Sequence, residues 1–93
     1  MGESVEFEWD DEKRLSNLAK HRLDFQRATD LFDGRLVVEV QSSHPFEERF
    51  KTTGELDGVF VTAIWTRRGD AIRLISVRRA HDDEERKYYE NEP

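Results

Sequence analysis

Cysteine is absent from the sequence, and proline and histidine are scarce, with two and three copies among 93 residues. Without cysteine the chain cannot form a disulfide framework, a thiolate zinc site or a thiol nucleophile. The three histidines are too widely spaced to ligate one metal from a single helix or turn. We therefore expect a fold that is stabilised by packing alone, with no metal site and no cofactor.

Long apolar runs are also absent. No stretch approaches the roughly 20 apolar residues that span a bilayer. The first twelve residues, MGESVEFEWDDE, are acidic, whereas a signal peptide is first basic and then apolar. These features predict a cytoplasmic protein, and the length of 93 residues predicts one domain, residues 1–93, with one modest core.

The charged residues are unevenly distributed. The formal net charge is −6, yet residues 1–12 hold six acidic and no basic side chains, and residues 82–93 hold six acidic and two basic ones. Because the whole chain has 21 acidic and 15 basic residues, positions 13–81 retain nine acidic and thirteen basic ones, a net charge of +4 without histidine. Salt screens charges beyond about 8 to 10 Å, so acidic ends would not cancel a local basic patch. The distribution is compatible with a polyanion bound at the middle of the chain.

The strongest β signal lies in residues 59–80. Residues 59–65 are apolar except at Thr62, which is typical of a central strand, and Arg68-Gly69-Asp70 predicts a turn into a second strand over residues 71–79. Five arginines lie on or beside this hairpin: Arg67, Arg68, Arg73, Arg78 and Arg79. Guanidinium groups match phosphate oxygens with forked hydrogen bonds, so the hairpin predicts a phosphate-bearing ligand. The alternative is that these arginines pair with nearby carboxylates and only keep the sheet soluble.

Two helices and three further strands are predicted in the part of the chain that precedes this hairpin. Residues 4–9 alternate apolar and acidic as a strand does, and Asp10 and Asp24 are placed to cap two successive helices, the second ending near Gly34. Residues 36–41 and 48–54 are the next strands, and Asp57-Gly58 predicts the hairpin turn that leads into residue 59.

A last helix is predicted from a cap at Asp82 to about Glu90. The element order is then β-α-α-β-β-β-β-α. We expect an α+β fold in which helices cover one face of a mainly antiparallel sheet and leave the other face free to bind a ligand.

Several motifs resemble those of the BrnT toxin family. They are FEWD at 7–10, KH at 20–21, FD at 32–33, ERF at 48–50 and IRLISVRRA at 72–80. The resemblance covers almost the whole chain and implies a RelE-like fold and a bacterial ribonuclease toxin of a type II toxin-antitoxin system that inhibits translation. It also implies a BrnA-type antitoxin with a ribbon-helix-helix domain, through which the complex binds operator DNA. The family usually has glycine after the KH pair, where this chain has Arg22, so the turn between the first two helices is expected to differ.

RNA cleavage without a metal uses the 2′-hydroxyl of the substrate as nucleophile. The protein must accept that proton, stabilise the anionic phosphorane and protonate the leaving 5′-oxygen. The candidates for catalysis are His44, Glu48, Arg49, Arg67, Arg73 and Arg79. The candidates for RNA binding are Arg68, Arg78, Lys51, Lys20 and Tyr89.

Other roles stay open for these residues. His44 could be a solvated loop histidine, Glu48 could simply pair with Arg49, and Tyr89 could face the core. Strict alternation along the last strand puts Arg73 and Arg79 on one face and Arg78 on the other, unless a bulge near residues 76–77 intervenes. The second function that fits the sequence is a non-catalytic module that binds an antitoxin or RNA without cleavage.

Overall fold

The computed structural model describes residues 5–91 and confirms the predicted order of elements. The first half contains β1 (Phe7–Glu8), α1 (Asp11–His21) and α2 (Phe25–Ala28), and α2 continues as a turn of 3-10 helix over Thr29–Phe32. The second half contains β2 (Val38–Ser42), β3 (Arg49–Leu56), β4 (Val59–Arg68), β5 (Ala71–Arg79) and α3 (Asp82–Glu90). The first strand is therefore shorter than predicted, and its predicted start at Ser4 lies outside the described residues.

The five strands form one mixed sheet in the order β1-β5-β4-β3-β2. Strands β2 to β5 are an antiparallel meander, as the sequence predicts, and β1 adds a short parallel pairing in which Phe7 lies opposite Ile72. The expectation of a mainly antiparallel sheet is confirmed. The edges of the sheet are β1 and β2.

The core lies between the first face of the sheet and the helical segment that begins with α2. Phe25, Ala28 and Leu31 are buried against Val61 and Trp65, which point to this face from β4. The chain approaches closely at Gly54, where an added Cβ would lie 2.8 Å from Val37 Cγ1 and 2.9 Å from Leu31 Cδ2. Only glycine therefore lets the helical segment and residue 37 pack this close to β3.

The second face of the sheet is covered in part by α3. Phe60 and Thr62 alternate with the core residue Val61 and therefore point away from it. The Phe60 ring lies 4.9 Å from the Tyr88 ring, and Thr62 Oγ1 donates a hydrogen bond of 3.0 Å to Glu84. The expectation that all helices cover one face is therefore wrong, because α3 folds back over the half of the second face at which β4 begins.

Both early helices begin at the predicted caps, but α3 does not. Asp10 accepts hydrogen bonds from the backbone at Glu12, 2.8 Å, and Asp24 accepts one from Gln26, 3.1 Å. The cap of α3 is His81 rather than Asp82, since the His81 amide donates to the Glu84 carboxylate at 2.8 Å.

The turn after α1 is made by Arg22 in the left-handed conformation that glycine favours. Its φ is 59° and its amide donates to the Leu18 carbonyl at 2.8 Å. Arginine thus takes the usual helix-ending geometry at some cost in backbone strain.

A bulge in β5 changes the faces on which its arginines lie. Ile64 pairs with Ser76 and Trp65 pairs with Leu74, so Ile75 is an extra residue in β5. Arg73 before the bulge lies opposite Thr66, whereas Arg78 and Arg79 beyond it lie opposite Thr62 and Val61. The strand therefore does not alternate strictly, and the bulge that the sequence left open near residues 76–77 occurs at Ile75. Arg73 and Arg78 share the face of α3, and Arg79 lies on the face of the core.

Candidate nucleic-acid interface

Four basic side chains lie on the second face, three on the half that α3 leaves open and one, Lys51, where that half meets Asp83 and Glu84 of α3, and we call this group the basic half-face. They are Arg49 and Lys51 on β3, Arg68 on β4 and Arg73 on β5. Their common side follows from the register, because Lys51 lies opposite Ile64 and Arg73 lies opposite Thr66, with Arg68 two residues further along β4. The fold therefore brings together four cations that are up to 24 residues apart in the sequence.

Two of these arginines are held by carboxylates that still leave most of their donors available. Arg49 Nε lies 2.9 Å from Glu47 Oε2, and Arg73 Nη1 lies 3.1 Å from Glu8 Oε1. Each pairing uses one of the five guanidinium N–H groups. The carboxylates therefore orient these side chains and leave most of their N–H groups free for a ligand. The two roles predicted for the arginines, pairing with carboxylates and binding phosphate, are compatible here.

The pairing of Arg78 is different in kind. Its two terminal nitrogens donate to the two oxygens of Glu84 at 2.8 and 2.9 Å, and Nη1 also donates to the Arg79 carbonyl at 3.1 Å. The side chain is only 15% exposed. Arg78 thus fastens α3 to the sheet and has little capacity left for a ligand.

Glu47 is the point at which several charges of this region meet. The hydrogen bond from Arg49 lowers the pKa of Glu47, burial opposes that shift, and the charges of Arg49, His44 and Arg68 lower the pKa further. His44 and Arg68 are therefore close enough to Glu47 to act on it through space. The loop of residues 43–48 thus borders the basic half-face.

This loop also holds the two predicted groups for proton transfer. The half-buried His44 accepts a hydrogen bond at Nδ1 from the backbone of Phe46, 3.3 Å, so in this arrangement the neutral ring carries its proton on Nε2. Glu48 has an exposed side chain, and its carbonyl accepts a 2.6 Å hydrogen bond from Thr66 Oγ1, which ties the loop to β4. Both residues therefore lie at the border of the basic half-face.

The remaining predicted site residues lie on other surfaces. Arg67 is on the face of the core, with its guanidinium carbon 5.5 Å from the Trp65 ring centre and 5.9 Å from that of Phe50. Arg79 is exposed about 17 Å along the sheet from Arg73, since their partners Thr66 and Val61 are five residues apart on β4 and a strand rises about 3.3 Å per residue.

Lys20 and Tyr89 are also separate from the half-face. Lys20 is exposed in the last turn of α1, beside a shallow depression that it shares with Ile75 of the β5 bulge. Tyr89 is 54% exposed on α3, where its ring lies 5.4 Å from that of Phe60. The predicted site residues therefore do not form one cluster.

The carboxylates that hold the arginines could not be predicted from the sequence. Glu8 and Arg73 are separated by 65 positions, and only the parallel pairing of β1 with β5 brings them together. Glu47 lies next to a predicted site residue, but nothing in the local sequence distinguishes it from Glu48. Within residues 5–91, no cluster of three His, Asp or Glu side chains is arranged to hold a metal ion, and no helix is long and apolar enough to cross a membrane.

Comparison with protein families identifies the class of this protein as a toxin of a type II toxin-antitoxin system. Residues 9–84 match the family model described as "Ribonuclease toxin, BrnT, of type II toxin-antitoxin system". The match covers most of the chain and confirms the resemblance in the sequence motifs. The chain belongs to the BrnT family. No individual curated protein matches it.

Proposed function

We propose that the basic half-face binds the phosphate backbone of RNA and that the protein cleaves this RNA in the cytoplasm without a metal ion, which inhibits translation. The observation that supports this most is the convergence of Arg49, Lys51, Arg68 and Arg73 on one face of the sheet. Ribonuclease activity is also the activity for which the family is named. Charge-assisted bonds from arginine to phosphate are among the strongest that a protein can offer such a ligand.

Arg49 and Arg73 stabilise the phosphorane in this mechanism. Their carboxylate partners, Glu47 and Glu8, hold them in place before the substrate binds, so little reorganisation is needed when negative charge develops. His44 accepts the proton of the 2′-hydroxyl at Nδ1, and for this the 3.3 Å hydrogen bond from the Phe46 amide to Nδ1 must first break. Glu48, in the same loop, is the second candidate for this role.

The remaining predicted residues take no part in the proposed centre. Arg78 is engaged by Glu84, and the others lie on different surfaces: Arg67, Arg79, Lys20 and Tyr89. An RNA longer than the half-face would be needed to reach any of them.

The proposed partner is a BrnA-type antitoxin with a ribbon-helix-helix domain. A type II toxin acts only when its protein antitoxin is absent, so the antitoxin must block the active surface. We expect it to cover the basic half-face with an acidic segment, because opposite charges favour that contact. Operator DNA is then bound by the antitoxin in the complex and not by this chain.

The test uses purified protein without antitoxin and an unstructured RNA, with and without EDTA. We expect cleavage in both conditions, products with 2′,3′-cyclic phosphate ends, and no cleavage of the same RNA with 2′-O-methyl groups. Arg73→Ala should lower the rate about 100-fold, because one donor to the transition state is lost. Arg86→Ala, which removes an exposed arginine of α3, is the matched control and should cleave at the wild-type rate. Intact RNA in both conditions would count against the proposal.

The pairing of Arg49 and Arg73 with the chain's own carboxylates favours a second candidate, a module that binds an antitoxin or RNA without cleavage. Expression of the chain alone distinguishes the two. A ribonuclease should arrest growth, and Arg73→Ala should relieve the arrest. A module without activity should arrest growth in neither form.

A further inference from the structure

Phe46 is an aromatic side chain that the fold leaves almost fully in solvent. Its exposure is 90%, the highest among the large apolar residues that the structure describes. The residue is nevertheless tied to the loop, because its amide donates to His44 Nδ1 at 3.3 Å and its ring lies 5.9 Å from the His44 ring. Pro45, directly before it, restricts the backbone further. Within residues 5–91, the contact with the His44 ring is too slight to explain the position of the Phe46 ring by packing.

The loop that carries Phe46 contains two carboxylates, Glu47 and Glu48, and lies close to several cations. Glu47, the next residue, is bonded to Arg49 and also feels the charges of His44 and Arg68. The exposed ring therefore lies at the border of the basic half-face. Proteins that bind single-stranded nucleic acid combine these two features, a positive surface that follows the backbone and aromatic rings on which unpaired bases stack.

We infer that Phe46 is a stacking platform for an unpaired nucleobase, next to the phosphates bound by the basic half-face. This inference rests on the proposed function and adds a preference to it. Bases in a duplex are already stacked on their neighbours, so the platform selects single-stranded RNA. Stacking involves the face of the base that all four bases possess, so the platform adds little preference for any one of them.

Binding to a short 2′-O-methyl RNA tests the inference, since this probe keeps the bases and phosphates but lacks the nucleophile. We expect Phe46→Ala to weaken binding about 5- to 150-fold, the range found when single stacking aromatics are removed. Phe46→Trp should keep or increase the affinity. Leu15→Ala is the control for lost apolar surface, because Leu15 is 63% exposed on α1, an element that carries none of the residues of the basic half-face.

A ligand with charge but no base separates stacking from electrostatics. Inorganic polyphosphate should bind Phe46→Ala as well as it binds the wild type. The melting temperature of Phe46→Ala should also be unchanged, because a ring that is 90% exposed contributes little to folding.

The outcomes are distinguishable. If the wild type neither binds nor cleaves RNA, the proposed function and this inference fail together. If the wild type binds the RNA and Phe46→Ala binds it equally well, the inference alone is overturned. In that case, a loss of antitoxin binding in Phe46→Ala would assign the ring to the protein partner instead. Equal weakening of RNA and polyphosphate binding would also overturn it, because the loop would then act only through charge.

Discussion

At the scale of single residues, the side chain of Asn17 takes the place of a neighbouring strand at one edge of the sheet. β1 pairs with only two residues of β5, so the rest of that edge has no strand beside it. The Asn17 side chain takes the place of a strand at Val77, where it donates to the carbonyl at 2.8 Å and accepts from the amide at 3.1 Å. It also donates to the Leu23 carbonyl at 3.0 Å and accepts from Ser76 Oγ at 3.2 Å. One buried amide thus joins α1 to the sheet.

We predict that Asn17→Ala lowers the free energy of unfolding by about 2 to 4 kcal/mol, because both buried backbone groups of Val77 lose their partner. Asn17→Asp should also destabilise the protein, since a carboxylate keeps the acceptors but cannot donate to the two carbonyls. Urea denaturation measures both changes. Ser16→Ala, at the exposed neighbouring position, is the control and should stay within about 0.5 kcal/mol of the wild type. If the free energy of unfolding of Asn17→Ala also stayed within about 0.5 kcal/mol of the wild type, water would be replacing the amide as the partner of Val77 and the prediction would be wrong.

Hydrogen-bond partners that are distant in the sequence could not be predicted from the type of residue alone. Asn17 in a helix with a weak apolar stripe gives no local sign of a bond to a strand 60 positions away. The same holds for Glu8 with Arg73. Caps were easier to predict, since Asp10 and Asp24 bond within three residues of themselves and depend on little beyond the local sequence. The predictable part of the site is therefore the type of side chain, and the unpredictable part is what holds it.

At the scale of elements, the strands and helices were predicted well and their faces less so. Continuous and alternating apolar runs indicated all five strands, because burial of a sheet imposes that pattern. The extra residue Ile75 inside β5 leaves no such signal, yet it reverses the faces of every residue on one side of it. The position of α3 was missed because its contacts with the second face depend on Glu84, which looks like any acidic residue of a helix start.

A buried polar network holds α3 on the sheet. The Glu84 carboxylate is 13% exposed and receives hydrogen bonds from Arg78, Thr62 and the His81 amide. Thr62 donates to this carboxylate, so the 2.7 Å bond between Thr53 and Thr62 must have Thr53 as its donor. Burial by itself raises the pKa of Glu84, but these hydrogen bonds and the Arg78 charge outweigh burial and lower the pKa to about 2.

The lowered pKa predicts a loss of stability in acid. The ordinary pKa is 4.5, so the contribution of ionised Glu84 is complete above about pH 4.5 and disappears as the pH falls toward about 2. The loss amounts to at most about 3 kcal/mol. Urea denaturation between pH 2 and pH 7 should show that Glu84→Gln is less stable than the wild type at pH 7 and that the difference shrinks in this range.

The comparison with Glu84→Gln is needed because another carboxylate titrates in the same range. Arg35 lowers the pKa of the exposed Asp33 to about 2 through its hydrogen bonds, and this contribution is common to both proteins. Glu90→Gln, at the exposed end of α3, is the control and should follow the wild-type curve. A constant difference between wild type and Glu84→Gln at all pH values would contradict the assignment.

At the scale of the whole molecule, the net charge of −6 opposes the binding of a polyanion, whereas the basic half-face favours it. The local charges should dominate, because charges more than about 8 to 10 Å apart are largely screened at physiological salt. Arg49 and Arg73 lie on strands that are separated only by β4, so their fields reach the same stretch of RNA. Of the acidic residues at the start of α3, Asp83 and Glu84 line a depression with Lys51, so they weaken the field of that lysine.

If the local charge of the basic half-face governs binding, it also determines how RNA affinity depends on salt. Each phosphate that is neutralised releases counterions, and the logarithm of the association constant falls with the logarithm of salt concentration by about 0.7 per contact for single strands. Four cations on the half-face therefore predict a slope of about −2.8 for a 2′-O-methyl RNA between 50 and 200 mM salt. Arg73→Ala should reduce the slope by about 0.7. Arg86→Ala gives the protein the same net charge but lies on α3, so its slope should equal that of the wild type. If the slope decreases by the same amount in Arg73→Ala and Arg86→Ala, the overall charge of the molecule governs binding and the half-face has no special role.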